Sequence, residues 1–249
     1  WEAVGVAASG DKVYVAASDS GMVSKGTVIQ MSGADGQKWK EVGSRFLTLQ
    51  HPMKKSISGV AVLGEQIFTI DTEGNLFTIQ NGQIRQHKAS PGNDIAVGGN
   101  SLYIATTSGQ LERRALDLSN SQLIPMVKLM GGIGTDSRGT VYGVADHGIA
   151  AVDLSGQPRL VITKDQLQQP IDVAVDSRNG DLYVLDRAFI KRFDSTGRFL
   201  ISVGSGCVKP SSITVDEMGK VYVADRAENF RNSKVLVFSG SDLASLNQS

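Results

Sequence analysis

Several features that define common classes of protein are scarce in this sequence of 249 residues. It contains one cysteine, Cys207, which excludes an internal disulfide framework and a cysteine-rich zinc site. The 25 basic and 25 acidic residues balance, so a strong global attraction to nucleic acid or to an anionic membrane is excluded, although a local patch is not. No apolar stretch approaches the length of a membrane span, since Gly, Ser, Asp or Lys interrupts each one.

Helical periodicity is also missing, because no long segment shows the apolar spacing of an amphipathic helix. Glycine, by contrast, is abundant: the chain has 28 glycines and only six prolines. This composition predicts many tight turns between short elements. The length is sufficient for one large domain with a sizeable core.

A short pattern recurs six times along the chain, with a period of roughly 40 residues. It consists of an apolar residue, a turn with Gly, Asp or Asn, and an aromatic residue between β-branched or aliphatic neighbours. The aromatic residues are Tyr14, Phe68, Tyr103, Tyr142, Tyr183 and Tyr222, and the preceding apolar residues are Val4, Val60, Ile95, Ile133, Val173 and Ile213.

Each copy predicts four antiparallel strands. In copy five, residues 172–176 and 182–185 flank a turn that contains Asn179 and Gly180, and strands follow at 189–193 and 198–203. Four strands per repeat are typical of a propeller blade. The sequence therefore predicts an all-β fold, a six-bladed β-propeller of four-stranded antiparallel blades that forms one domain over residues 1–249. The approximate blades are 1–50, 51–90, 91–130, 131–168, 169–208 and 209–249.

The last two copies also resemble a known repeat. The residues concerned are 170–176 (PIDVAVD), 180–186 (GDLYVLD) and 190–193 (IKRF), and 210–216 (PSSITVD), 219–225 (GKVYVAD) and 235–238 (VLVF). These segments resemble NHL repeats, whose propellers commonly act as protein-binding scaffolds or sensors. The first four copies are degenerate. The resemblance implies that the loops between strands two and three, and those between blades, share one face.

That face contains the longest connections, 17–26, 43–58 and 225–234, which closure of the ring would bring together. Long loops on a rigid scaffold are common binding sites, and Arg, Met and aromatic residues are enriched in protein interfaces. We therefore predict a protein or peptide partner on this face. The candidate contact residues are Arg226, Phe230, Arg231, Met22, His51, Lys54 and Lys55. The alternative is that these charges are simply solvated.

Two carboxylates are candidates for a metal site. Asp94 and Asp172 occupy equivalent places before the innermost strand of copies three and five, where they would rim the channel. Calcium takes six to eight oxygen ligands, so two carboxylates would need carbonyl groups and water to complete the shell. We expect no cofactor, with calcium or another divalent cation in the channel as the alternative. Four other aspartates, Asp71, Asp146, Asp186 and Asp225, end or follow a second strand and are predicted to stabilise turns.

The preferred interpretation is a non-catalytic recognition or sensor scaffold. A propeller enzyme of the lyase or lactonase type with a channel metal is the main alternative, and single-stranded RNA binding is a further one, which the neutral charge disfavours. We expect a monomeric domain with no membrane span. An exported or extracytoplasmic location is favoured over a cytoplasmic one. A short fourth strand at 242–247 is predicted to complete blade six.

Overall fold

The computed structural model describes residues 2–19, 25–32, 38–41, 57–125, 128–226 and 233–239. These residues form β-strands β1 to β23 and a short 3-10 helix, Lys164–Gln166. Within them no helix is long and apolar enough to cross a membrane. The strands form six antiparallel sheets, each made of strands that follow one another in the chain.

Blades 1 to 3 are four-stranded sheets. Their strands are β1–β4 (Glu2–Ser9, Lys12–Asp19, Lys25–Ser32, Lys38–Glu41), β5–β8 (Ile57–Leu63, Gln66–Asp71, Asn75–Gln80, Gln83–Lys88) and β9–β12 (Gly92–Gly98, Ser101–Thr106, Leu111–Ala115, Ser121–Ile124).

Blades 4 and 5 also have four strands, and the described residues of blade 6 form three. Their strands are β13–β16 (Leu129–Thr135, Val141–Ala145, Gly148–Val152, Pro158–Thr163), β17–β20 (Pro170–Val175, Leu182–Asp186, Phe189–Phe193, Phe199–Gly204) and β21–β23 (Pro210–Val215, Val221–Asp225, Lys234–Phe238).

The first strand of each blade lies at the centre of the molecule. Each of these strands packs against the first strand of the next blade, and β21 packs against β1, so the ring is closed. The prediction of an all-β, six-bladed propeller is confirmed. The predicted closing strand at 242–247 lies outside the described residues.

The second strand of each blade is buried on both sides because a blade is covered by two neighbours. In β18, Leu182 and Val184 pack with the core of blade 4, whereas Tyr183 and Leu185 pack with that of blade 6. All four side chains are at most 2% exposed. This double burial explains why the strand is apolar without a break, in the manner of other fully covered strands.

Glycine marks the first turn of every blade, as its recurrence in the sequence predicts. Gly180, between β17 and β18, has φ of +79°, a conformation that side chains with a Cβ rarely adopt. Strand pairing corrects one detail of the repeat. Val173 pairs with the residue after Tyr183, and the residue in the same position of blade 1 is Val6, not Val4.

Gly134→Ala tests how closely the innermost strands approach. A Cβ on Gly134 would overlap the carbonyl oxygen of Val173 and lie 3.2 Å from the Cα of Ala174 in the next blade. Overpacking of this kind costs roughly 1–3 kcal/mol, so we expect a lower free energy of unfolding in urea. Gly204→Ala is the control, because a Cβ there meets nothing within 4 Å. Equal stability of the two variants would contradict the close approach.

Candidate functional site: a carboxylate pair in the central channel

A cavity of about 660 Å³ occupies the centre of the ring. Its wall is formed by the innermost strands, from Asp94 and Asp172 to the first turns of blades 3 to 6. The apolar part of the wall includes Val60 and Ile133, and Thr135 adds a hydroxyl group. Asp136 and Glu217 are the other acidic residues of the wall, whereas Lys, Arg and His are absent from its described residues. The ionisable side chains in the described wall of the channel are therefore all acidic.

The two aspartates belong to a set of six equivalent positions, which we call the ring position. In each blade, one apolar residue of the innermost strand pairs with the residue that follows the repeat aromatic, as Val173 pairs with Val184. The ring position is the residue directly before that apolar residue, and a register shift lies beside it in every blade. The six residues at the ring position are Gly5, Gly59, Asp94, Gly132, Asp172 and Ser212.

Glycines at the ring position provide the space that the carboxylates occupy. A Cβ on Gly59 would lie 2.7 Å from Asp94 Oδ1. A Cβ on Gly132 would overlap Asp172 Oδ1 and lie 3.0 Å from Asp94 Oδ2. The two carboxylates thus face each other across Gly132, and side chains at blades 2 and 4 would displace them.

Each carboxylate accepts a hydrogen bond from the backbone of the next blade. The Ile133 N–H donates to Asp94 Oδ2 at 2.9 Å, and the Ile213 N–H donates to Asp172 Oδ2 at 2.9 Å. Asp172 Oδ1 also accepts the Val173 N–H at 2.7 Å. An innermost strand has a free inner edge, and these bonds satisfy N–H groups that no neighbouring strand reaches.

The electrostatic environment favours the uncharged acid. Burial, followed by the nearby charge of Asp172, raises the pKa of Asp94 well above its usual value. Burial raises the pKa of Asp172 as well, against the opposing effect of its hydrogen bonds to Ile213, Ser212 and Val173. The charge of one carboxylate therefore disfavours ionisation of the other.

The pair offers few ligands for a metal ion. Asp94 and Asp172 could contribute carboxylate oxygens to a cation at their end of the channel, whereas Asp136 and Glu217 lie at the first turns. Among the residues described, no three His, Cys, Asp or Glu side chains are grouped so that they could hold one. A hard cation would need most of its ligands from carbonyl groups and water.

Most of the predicted partner-binding residues cannot be placed. Phe230, Arg231, Met22, His51, Lys54 and Lys55 lie outside the described residues. Arg226 follows β22, is exposed, and donates its N–H to the carbonyl oxygen of Lys209 in the connection from blade 5.

The repeated aspartates bind backbone N–H groups in two different ways. Asp71 accepts the N–H groups of Glu73 and Asn75 in the following turn, as predicted. Asp225 instead accepts those of Val208 and Lys209 in the preceding connection, and Asp186 makes the corresponding bonds in blade 5. These two aspartates therefore join a blade to the loop that enters it. Asp146 is exposed and lies 3.6 Å from His147 Nε2.

The sequence did not single out a set of exposed residues near Arg226, at the junction of blades 5 and 6. Arg187 occupies the equivalent place in blade 5, directly after Asp186, and it is exposed. Phe189, Val208 and Lys209 are exposed nearby. The recurrence of Asp-Arg at the end of the second strand in copies five and six was the available signal.

No family model matches this chain, and no curated protein matches it. Many solved structures are similar in fold, including the following two. A chain of a nidogen/laminin complex is 17% identical, with 89% of this chain and 88% of that chain covered and a TM-score of 0.71. A gluconolactonase of Xanthomonas campestris is 15% identical, with 90% and 83% covered and a TM-score of 0.67. At these identities the similarity shows the propeller fold alone.

Asp94→Asn tests the raised pKa values of the pair. An aspartate whose pKa is raised in the folded state makes the protein less stable as the pH rises. The loss begins near the pKa of the unfolded state, about 4, and continues through the pKa of the folded state, which is about 6 for Asp172. Asparagine keeps an oxygen for the Ile133 N–H but cannot ionise. We expect the free energy of unfolding of the variant, relative to wild type, to rise between pH 4 and 7, by up to about 1.4 kcal/mol per pH unit.

Urea unfolding at each pH measures this difference. Asp153→Asn is the control, since Asp153 is exposed and hydrogen bonding to Ser155 lowers its pKa, so its variant should change in the opposite direction, chiefly below pH 4, and little between pH 4 and 7. Parallel curves for wild type and Asp94→Asn would show that the channel carboxylates titrate normally.

Proposed function

We propose that this propeller is a non-catalytic, NHL-like recognition or sensor scaffold that presents its loop-rich face to a protein or peptide. The observation that carries the proposal is that the channel carboxylates form hydrogen bonds to the backbone of neighbouring blades. Asp94 and Asp172 each accept a backbone N–H group from the neighbouring blade, so they act in closing the ring. A catalytic carboxylate, in contrast, must be directed at a substrate or a metal ion.

Two aspartates in the first turns of blades 4 and 6 also accept backbone hydrogen bonds. Asp136 accepts the N–H groups of Arg138 and Thr140, and Asp216 accepts those of Met218 and Lys220. Such bonds fix the turns between strands one and two. With these acidic groups engaged, the exposed connections on a rigid ring are the part of the molecule best suited to function.

The similarity to a chain of a nidogen/laminin complex supports this interpretation, because that propeller belongs to a complex between proteins. The similarity is one of fold, and it gives a precedent for protein recognition by this architecture. The resemblance of the last two repeats to NHL repeats points in the same direction.

An enzyme with a channel metal is the second candidate. The cavity of about 660 Å³ has two carboxylates at one end, and a gluconolactonase shares the fold. If a cation were bound, Asp94 and Asp172 would hold it, and it would supply Lewis-acid chemistry to a substrate in the cavity.

A cation titration separates the two candidates. On the scaffold proposal, Ca²⁺, Mg²⁺, Mn²⁺ or Zn²⁺ at millimolar concentration should shift the melting temperature of wild type and of the Asp94→Asn/Asp172→Asn variant equally. Stabilisation by one cation that the double variant loses would favour the metal-dependent enzyme, since a ligand stabilises only the state that binds it.

Selection of a random-peptide phage library on the immobilised protein tests recognition directly. We expect enriched peptides whose binding is lost when Arg226, Phe230 and Arg231 are all replaced by Ala, with little change in melting temperature. Alanine at Arg138, on the face of the first turns, is the control and should leave binding intact. Failure to enrich any peptide, or binding that is sensitive only to Arg138, would contradict the proposal.

A further inference from the structure

We propose that the junction of blades 5 and 6 is a docking surface for an acidic protein segment that carries a large apolar side chain. This inference rests on the proposed recognition function and specifies the partner. The blade 5–6 surface is defined here as Arg187, Phe189, Val208, Lys209 and Arg226.

Backbone hydrogen bonds join the parts of this surface. The Arg226 N–H donates to the carbonyl oxygen of Lys209 at 3.0 Å, so the second-strand end of blade 6 adjoins the connection that enters it. The Ser205 N–H donates to the carbonyl oxygen of Ala188 at 2.8 Å, which attaches that same connection to the turn carrying Arg187. The three backbone segments that carry the five residues are therefore hydrogen-bonded to one another at this junction.

The surface contains uncovered apolar groups. Phe189 is 41% exposed and Val208 is 57% exposed. On the side of strand β20 the residue paired with Phe189 is Gly204, and a Cβ added to Gly204 would have no atom within 4 Å. No neighbouring side chain covers the ring from that strand. An exposed aromatic residue of this kind is a frequent anchor of protein interfaces.

The charged residues of the blade 5–6 surface, as defined here, are all positive. Arg187, Lys209 and Arg226 are exposed, and none forms an ion pair with a described residue. The carboxylates beneath them are engaged elsewhere. Asp186 is buried, accepts the Gln168 and Gln169 N–H groups and pairs with Lys191, and Asp225 is buried and accepts the Val208 and Lys209 N–H groups. Three cations without an ion pair in the described part of the chain are complementary to an acidic partner.

The surface is also fixed before binding. Phe189 begins strand β19, and the two bonds from Asp225 hold Val208 and Lys209 in place. Groups that are ordered in the free protein lose less conformational entropy on binding, which favours affinity.

A protein segment fits this surface better than RNA does. Single-stranded RNA is usually bound by several aromatic residues that stack on successive bases, within a strongly basic groove. Here one aromatic residue and one valine lie among three cations, on a chain with no net charge. Isolated aromatic and aliphatic anchors surrounded by charge are typical of protein interfaces.

Phage selection from a random-peptide library tests the chemistry of the partner. We expect the enriched peptides to carry net negative charge and at least one large apolar residue, and their binding to weaken as salt concentration rises. The triple variant Arg187→Glu/Lys209→Glu/Arg226→Glu should weaken binding of a synthetic copy of the enriched peptide by at least about tenfold, through like-charge repulsion. Phe189→Ala should weaken it as well, by removal of the anchor.

The triple variant Arg85→Glu/Arg159→Glu/Lys220→Glu is the matched control, because it makes the same change of net charge at exposed residues elsewhere and should bind normally. Enriched peptides that are neutral or basic, yet depend on Arg226, would overturn this inference and leave the recognition function standing. A library that yields no binder would count against both. Tight, salt-sensitive binding of a labelled oligouridine probe, lost in the Arg187/Lys209/Arg226 variant, would assign the surface to RNA instead.

Discussion

The structure depends on how six innermost strands, each with one free edge, are joined into a ring without a shared sheet. Side chains and close backbone approaches fill the role that strand pairing has inside a blade. Ser58 donates to the Gly92 carbonyl oxygen, Asp94 and Asp172 accept N–H groups, and Ser211 donates to the Ala3 carbonyl oxygen between blades 6 and 1. A buried backbone N–H or carbonyl group without a hydrogen bond costs free energy. The residues at the centre must therefore be ones that can supply these hydrogen bonds.

The same requirement accounts for the composition of the channel. At the ring position, three glycines leave space and two aspartates and a serine supply hydrogen-bonding groups. Burial of the two aspartates raises the pKa of each, so a group that closes the ring also makes its stability sensitive to pH. Perturbed carboxyl groups in a cavity often indicate catalysis, but structural pairs perturb pKa values too, and here both carboxylates accept backbone N–H groups of the next blade.

In the recognition function that we propose, the partner binds the surface of the propeller rather than its channel. The junction of blades 5 and 6 combines Phe189, Val208 and three cations that have no acidic partner among the described residues. Val208 and Lys209 lie on the connection whose N–H groups bond to Asp225. Structural aspartates thus position the exposed residues that follow them in the chain, Arg187 and Arg226.

The sequence by itself determined the number of blades, the order of the strands and the turn glycines, since each blade is a local repeat whose pattern is set by neighbours in the chain. It also singled out Asp94 and Asp172 as equivalent residues. Only the tertiary structure decided that they face each other across Gly132, that Val6 rather than Val4 is the counterpart of Val173, and that Asp186 and Asp225 bind the preceding connection. These facts depend on register shifts and on contacts between blades, which no periodicity within one repeat encodes.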